Sequence, residues 1–379
     1  MDTVTFLLDY APRHWGTRDD MFSALGGALG ERGLQPLFAF SKAIPSEVER
    51  GYLSRGAEVR VIDASLGLGH MRRSLAEVMR HGHIALGQIR FFKLHTTATW
   101  VLRLMPVRQI VLTDAESGLL HATGWRRRLL QLRARLMSRP ASRVVGISEF
   151  VRERALSLGV PADKLTVVPN GVDTTRFRPD PQARERLRRR IAVDSDELLL
   201  LTAASLVPFK HVEDIVRSCA ELVRRRVRFR LLVAGDGPLA GSLERLAGTL
   251  GVSDRVHWLG SVPDPAPLMQ GCDLFLLASV GEAFGNVLTE AMACGAPVVA
   301  SRSGGICEVV EDGKSGRLVP PGNPGAFADA VEELAAAPGT RREMGWRGRQ
   351  RAEAEFGLDR FVRRTLAVYH EVAPQIPTG

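Results

Sequence analysis

A chain of 379 residues is longer than one ordinary core and fits two domains of about 150–200 residues. Its composition, 45% hydrophobic and 25% charged, excludes wholesale disorder, and no apolar run reaches the ~18 residues a membrane span needs. The net charge of +9 sits in the N-terminal half, where residues 1–175 hold 24 Lys and Arg against 16 Asp and Glu, while residues 176–379 hold 27 against 26.

Apolar runs alternate with helical patterns, which predicts parallel α/β units. Strands are expected at TVTFLLDY (3–10), QPLFAF (35–40), EVRVID (58–63), HIALGQ (83–88), RQIVLT (108–113) and SRVVGIS (142–148), with helices at 19–32, 46–55, 71–81 and 125–138. LTVVPNGVDTTRFRPD (165–180) carries Pro and Asn-Gly turn chemistry and reads as a last strand followed by a hinge. A second series predicts strands at ELLLLTAAS (197–205), FRLLVAG (229–235), RVHWLG (255–260), LFLLAS (274–279), PVVAS (297–301) and GRLVP (316–320). Its helices fall near 211–226, 238–250, 264–271, 285–294, 304–311, 324–336 and 339–355, and LDRFVRRTLAVYHEV (358–372) is a closing amphipathic helix. The expected fold class is therefore α/β, with two Rossmann-like doubly wound domains facing a cleft. The first spans 1–173 together with a C-terminal helix over 357–379 that crosses back to it, and the second spans 174–356. Ligands of such sheets bind at strand C-termini.

Compartment and partners follow from smaller signals. The first strand lacks a charged n-region and a cleavage site, so a cytoplasmic protein is expected. Cys219, Cys272, Cys294 and Cys307 show no CxxC spacing, which argues against a zinc site. The basic N-terminal half suits an anionic substrate or membrane surface, or a plain arginine-rich composition. Nucleic acid is not an expected partner, since no helix-turn-helix, zinc-finger or RNP-type motif accompanies the charge.

The segment EAFGNVLTE (282–290) carries the strongest chemical signal. Glu282 falls in a loop at a strand end, and Gly285 and Asn286 open a helix that carries Glu290. Amides at a helix start, with a glycine permitting close approach, suit a diphosphate. A carboxylate accepts from two vicinal hydroxyls, so two glutamates can hold two sugar diols. An isolated pair with this spacing is more often two surface glutamates on a capped helix.

The neighbouring segments decide the matter. EAFGNVLTEAMACGAPVVAS with SGGICEVVEDGKSGRLVPPG (303–322), RVVGISEFVRERALSLGVPADKLTVVPNGVD (143–173), LLVAGDGP (231–238) and RVHWLGSVP (255–263) resemble, in order and spacing, the retaining GT-B glycosyltransferases of family 4. The resemblance is close over about residues 140–372 and loose before that. It implies hexosyl transfer from a UDP- or GDP-sugar donor, with no further cofactor and no metal, to a glycan, lipid-linked or small-molecule hydroxyl. Glu282 would contact the donor sugar, Ala283, Phe284, Gly285 and Asn286 would offer amides, and Glu290 would hold the ribose. Lys210, in LVPFKH, would neutralise the leaving diphosphate. Gly260, Ser261 and Val262 would line the base, and the turn at Gly235, Asp236 and Gly237 would shape the cleft wall.

Some positions depart from the family pattern. Ser205 stands where an arginine usually accompanies the lysine, and Cys307 replaces a proline. HWGTRDD keeps Gly16 of a usual Gly-Gly, a residue that either approaches the donor phosphate or makes a simple turn, with Thr17 a candidate N-cap. Asp114 in TDAESG takes the place of a frequent His, which leaves Asp114, Glu116 and His95 as candidates for the acceptor side. The DSD triplet at 194–196 resembles a manganese-binding DxD but precedes a strand, and it reads as a turn. The basic segment 125–140, with Leu129, Leu132 and Leu136 on one stripe, is expected to pack on the N-terminal sheet; the other reading is peripheral contact with the inner face of a membrane. A non-catalytic or hydrolytic nucleotide-sugar-binding protein, or a GT-B epimerase, is the alternative function.

Overall fold

The computed structural model describes residues 2–10, 12–62, Arg73, 84–90, 98–103, 107–117, 123–194 and 196–377. His95, Ser195 and the expected helix at 71–81, apart from Arg73, lie outside the described residues. The chain divides into two compact units, residues 1–116, 120–171 and 358–379 in one, and 117–119 with 172–357 in the other.

The first unit is built on a parallel sheet ordered β3-β2-β1-β4-β5-β6-β7. Its strands are β1 (Thr3–Leu8), β2 (Gln35–Phe40), β3 (Glu58–Val61), β4 (Ile84–Arg90), β5 (Gln109–Asp114), β6 (Arg143–Gly146) and β7 (Leu165–Val167). Helices α1 (Thr17–Gly30), α2 (Ser46–Leu53), α3 (Ala98–Arg103), α4 (Gly124–Ser138) and α5 (Glu149–Ser157) connect them. One face packs an aromatic cluster in which Phe6 stacks on Phe38 at 4.6 Å and Phe38 meets Tyr52 at 4.7 Å. The other face is aliphatic, with Leu7, Leu37, Ile84, Ile110 and Val144 fully or nearly fully buried.

The second unit has a parallel sheet ordered β10-β9-β8-β11-β12-β13. Following α6 (Ala183–Ile191), it comprises β8 (Leu198–Ala203), α7 (Val212–Arg224), β9 (Phe229–Ala234), α8 (Ala240–Thr249), β10 (Val256–Gly260), α9 (Ala266–Gly271), β11 (Leu274–Leu277), α10 (Asn286–Ala293), β12 (Val298–Ser301), α11 (Ile306–Val309), β13 (Gly316–Val319), α12 (Pro324–Ala336) and α13 (Pro338–Phe356). Its strands are continuous apolar runs because helices cover both faces. Helix α7 shows how the pattern works. Val212, Ile215, Val216, Cys219 and Leu222 recur at helical spacing and all are buried against Leu200, Leu231 and Val233. The closing helix α14 (Leu358–Val372) belongs to the first unit, where it inserts Phe361, Leu366 and Tyr369. The Tyr369 hydroxyl hydrogen-bonds Gln88, whose amide donates to Thr113 Oγ1 at 2.9 Å.

In both sheets the first strand of the series is paired on both sides. In the second unit β8 lies between β9 and β11, so the crossovers leaving β8 and β11 run to opposite sides. A doubly wound sheet opens a crevice at the C-terminal ends of two such strands.

Candidate functional site

The loops that carry the expected donor residues follow β8 and β11, the two strands from which the crossovers diverge. The loop after β8 closes a 3-10 turn, Pro208–Lys210, and Lys210 Nζ lies 2.5 Å from Glu282 Oε2 beyond β11. Both side chains are largely buried, at 16% and 11% exposure. A pair this withdrawn from water costs desolvation that only close, well-shaped contact offsets. The Lys210 ammonium also sits 4.9 Å from the ring centroid of Phe209, and the Phe209 carbonyl accepts from Val280 N–H at 2.8 Å. The two loops are thus tied to each other by backbone as well as by charge.

The loop at 281–285 is held from behind. Gly305 N–H donates to the Glu282 carbonyl at 2.8 Å, and Gly281 N–H donates to Ser303 Oγ at 2.9 Å. Gly304, at φ +60°, passes so close that a Cβ would lie 2.4 Å from the Glu282 carbonyl oxygen, and a Cβ at Gly305 would lie 2.3 Å from that of Ala283. Only glycines fit that approach, which is the physical reason for Gly-Gly in this segment. The Phe284 ring is buried edge-on to Phe356 at 5.5 Å. Gly285 caps α10, where a Cβ would lie 3.8 Å from Glu282 Cγ, so the amides at the helix start stand beside the carboxylate. Asn286 and Glu290 are half-buried along α10.

The turn at Gly235–Gly237 positions the lysine loop. Gly235 N–H donates to the Gly260 carbonyl at 2.7 Å, and Leu206 N–H to the Asp236 carbonyl at 3.0 Å. A Cβ on Gly235 would collide with the Ala204 carbonyl at 1.9 Å. The loops after β8, β9 and β10 are therefore stitched together, bringing the 204–207 and 260–262 segments onto a common framework. Asp236 accepts from Gly237 N–H at 2.7 Å, a turn contact. Ser205, Gly260 and Ser261 are exposed and Val262 is half-buried.

One residue at this site has no signature in the sequence. Ser117, which packs with the second unit, donates to Glu282 Oε1 at 3.3 Å and accepts from Ala283 N–H at 3.1 Å. One hydroxyl thus bridges the Glu282 carboxylate and the Ala283 amide.

In the first unit, Asp114 ends β5 and is buried, at 1% exposure. Its Oδ1 accepts from Arg154 Nη2 at 2.7 Å and from Glu116 N–H at 3.1 Å. Arg154 also donates to the Glu116 carbonyl at 2.5 Å. Burial pushes the Asp114 carboxyl up, against the pull of the Arg154 guanidinium. Oδ2 is buried with no hydrogen-bond partner among the described residues. The side chain of Glu116 is 41% exposed.

Gly16, rather than Thr17, is the N-cap of α1. Its N–H donates to Asp19 Oδ2 at 3.0 Å, and Asp19 accepts from the hydroxyls of Tyr10 at 3.1 Å and Tyr52 at 2.9 Å. Asp20 accepts from Trp15 Nε1 at 2.6 Å. Burial raises the Asp19 carboxyl above its ordinary value, and the hydrogen bonds offset this only in part. The Gly16 amide therefore serves the helix's own cap.

Two further expectations meet the structure here. Asp194 and Asp196 both pair with Arg228 on the surface. The leucine stripe of α4 does not pack on the sheet: Leu129, Leu132 and Leu136 are 46%, 55% and 42% exposed, and the buried residues of that helix are Ala134 and Ser138. Ala134 and Ser138 face the unit with Leu130 packed against its core, and the three leucines of the stripe turn outward.

Comparison with known proteins identifies the family. The family described as "Glycosyl transferases group 1" matches residues 183–351, and "Glycosyltransferase Family 4" matches residues 25–176. This chain belongs to the family 4 glycosyltransferases. A GDP-mannose-dependent alpha-(1-6)-phosphatidylinositol monomannoside mannosyltransferase of Mycolicibacterium smegmatis is 36% identical over 65% of this chain and 65% of its own length. A D-inositol 3-phosphate glycosyltransferase of Kribbella flavida is 35% identical over 58% of this chain and 54% of its own length. The chain thus spans between about half and two thirds of the length of these curated relatives. The Anabaena protein HepE, crystallised in complex with UDP and glucose, shares the fold with a TM-score of 0.82 at 21% identity, over 98% of this chain and 100% of its own. The α/β units are those of GT-B glycosyltransferases.

Proposed function

We propose that this chain transfers a hexosyl unit from a nucleoside-diphosphate sugar, UDP- or GDP-linked, to an acceptor hydroxyl, with retention and without a metal. The observation that carries the reading is the buried Lys210–Glu282 pair at the mouth of β8 and β11, set beside the start of α10. An ammonium there is placed to follow the charge that gathers on a departing diphosphate, and the amides of Ala283 to Asn286 share it. On donor binding Lys210 exchanges part of its contact with Glu282 for the diphosphate. Glu282 then accepts from the sugar hydroxyls, in place of Lys210 and Ser117. Glu290 holds the ribose, and the backbone of Gly260, Ser261 and Val262 lines the base. Neither glutamate acts as a nucleophile; the leaving diphosphate takes the acceptor proton as the sugar passes through an oxocarbenium-like state.

On the first unit, Asp114 is the residue proposed to orient the acceptor, with Arg154 holding it in place; Gly16 has no part in this reading. GDP-mannose, named for the mycobacterial relative, is the first donor to test. A thermal-shift panel of UDP-, GDP-, ADP- and TDP-sugars tests the site. Ligand at 100 times its Kd stabilises by about 2.7 kcal/mol, and Glu282→Gln is expected to abolish the shift. Absence of any shift with the whole panel refutes the donor site.

A further inference from the structure

The last four carbonyls of α10 are satisfied one by one. The turn that follows takes three of them: Glu290 accepts from Cys294 N–H at 3.0 Å, Ala291 from Ala296 N–H at 3.0 Å and Met292 from Gly295 N–H at 2.9 Å. The fourth, Ala293, accepts from Arg349 Nη1 at 2.6 Å. Arg349 lies on α13 with its side chain only 17% exposed, and it pairs with Glu353 one turn along that helix. The same guanidinium donates to the carbonyls of Phe177 at 2.7 Å and Thr174 at 3.1 Å, in the segment with which the second unit begins.

We propose that Arg349 is a positioning residue of the donor site: it fixes the C-terminal end of α10, so that the opposite end is aimed at the donor's diphosphate. The proposal rests on the donor reading above, in which the amides of Ala283 to Asn286 take the diphosphate. Packing carries the first part of the argument. Helix α13 runs antiparallel along α10 and grips it at both ends. At one end the Phe356 ring meets Phe284 edge-on at 5.5 Å. At the other, a Cβ on Gly345 would lie 2.2 Å from the Gly295 carbonyl oxygen, and one on Gly348 would lie 3.4 Å from Met292 Cγ. Helices this close leave α10 little room to tilt, and the charge-assisted bond from Arg349 sets its place along the axis. Electrostatics carries the second part. A cation on the last carbonyls complements the dipole of α10, whose positive end faces the diphosphate. The helix has eight residues and so a length of about 12 Å, which means that Arg349 acts through α10 and touches no donor atom. The segment proposed to line the base, 260–262, follows β10 at the far edge of the sheet and should not sense the change.

Titration calorimetry of the full chain with GDP and guanosine, or with UDP and uridine, according to the donor that binds, tests this inference. Arg349→Gln should weaken the nucleoside diphosphate about ten-fold or more and the bare nucleoside less than about two-fold, so that the ratio of the two affinities falls. Arg349→Lys keeps the charge without the planar fork and should fall between Arg349→Gln and wild type. Gly345→Ala presses α13 away from the end of α10 with Arg349 intact, and it should show the same selective loss. Arg341→Gln is the control: Arg341 lies on the same helix but donates to the Leu334 carbonyl at 2.8 Å, so the ratio should stay at the wild-type value. Equal weakening of nucleoside and nucleoside diphosphate by Arg349→Gln marks a role in folding alone and overturns the inference, as does an unchanged ratio. Where Arg349→Gln does not fold, Arg349→Lys and Gly345→Ala give the same readout, and an unchanged ratio in both overturns it. Wild type that binds no nucleoside diphosphate sinks the donor reading itself; wild type that binds it, with Arg349 variants that bind it equally well, sinks this inference alone.

Discussion

Gly304→Ala puts a methyl group against the backbone that carries Glu282. The new Cβ would lie 2.4 Å from the Glu282 carbonyl oxygen and 3.1 Å from its nitrogen, and both are main-chain atoms with no rotamer to yield. At φ +60° an L side chain costs about 1–2 kcal/mol on its own, and crowding in a packed site adds about 1–3 kcal/mol. The sum, about 2–5 kcal/mol, lowers the unfolding midpoint by roughly 4–20 °C in a unit of this size. Gly313→Ala is the control, because Gly313 shares the backbone conformation at φ +75° but has open space where a Cβ would sit. It should lose only the conformational part, about 1–2 kcal/mol. Scanning fluorimetry gives both midpoints, and titration calorimetry with the best donor of the panel gives both affinities. Gly304→Ala should weaken donor binding by at least about ten-fold because Glu282 must move, whereas Gly313→Ala should leave it unchanged. Equal destabilisation of the two variants, or full donor affinity in Gly304→Ala, refutes the argument that this glycine positions Glu282.

Other consequences concern charge and burial. Asp273→Ala removes the acceptor for Arg188 Nη2 at 2.5 Å, Arg184 Nε at 2.9 Å and Leu199 N–H at 2.8 Å; with Arg188 left buried, a loss of about 3–5 kcal/mol is expected in urea unfolding. Arg154→Met strands the Asp114 carboxylate in the interior. Burial already raises that carboxyl, so the folded variant binds a proton the unfolded chain releases, and its stability falls as pH rises. The deficit against wild type should be larger at about pH 8 than at about pH 5, and an equal deficit at both counts against the pairing. At Asp173, burial raises the carboxyl but is outweighed by hydrogen bonds from Thr175 Oγ1 and the amides of Thr175 and Arg176, which hold it below its ordinary value. Its contribution is present above the ordinary carboxylate range and lost as pH falls through the lower folded value. Asp173→Asn should therefore cost up to about 1 kcal/mol at neutral pH and nothing in strong acid.

The strands were legible because buried parallel strands are short apolar runs closed by Gly, Pro, Asn or Ser. Three helices were not. In α6, ARERLRRRI, only Ala183 and Leu187 of the apolar residues are buried, and the third buried residue is Arg188, an ion-pairing side chain that hydrophobic periodicity scores as surface. In α5 the same is true of Arg154, and α3 has only six residues, too few for a period to show. The helix expected over 304–311 contracts to Ile306–Val309 because Gly304 and Gly305 are spent on the approach to Glu282 and Ala283. At the site, Lys210 and Glu282 stood out because each lies in a segment with family spacing. Ser117 and Arg154 act through contacts that no spacing encodes. The stripe of α4 was visible as a pattern, but a pattern does not say which face packs, and here Ala134, Ser138 and Leu130 take the inner side.

The proposed activity requires nucleoside-diphosphate release from the second unit, driven by Lys210. The most direct measurement follows GDP or UDP release from the sugar-nucleotide that binds best, with water, soluble polyols and inositol-headed lipid vesicles offered as acceptors, for wild type and Lys210→Met. Wild type should release nucleoside diphosphate, faster with one acceptor class than with water, and Lys210→Met should be slower by about 10²–10³-fold with the fold intact. A wild type that binds donor and never releases nucleoside diphosphate, or a Lys210→Met variant that turns over as fast as wild type, contradicts it.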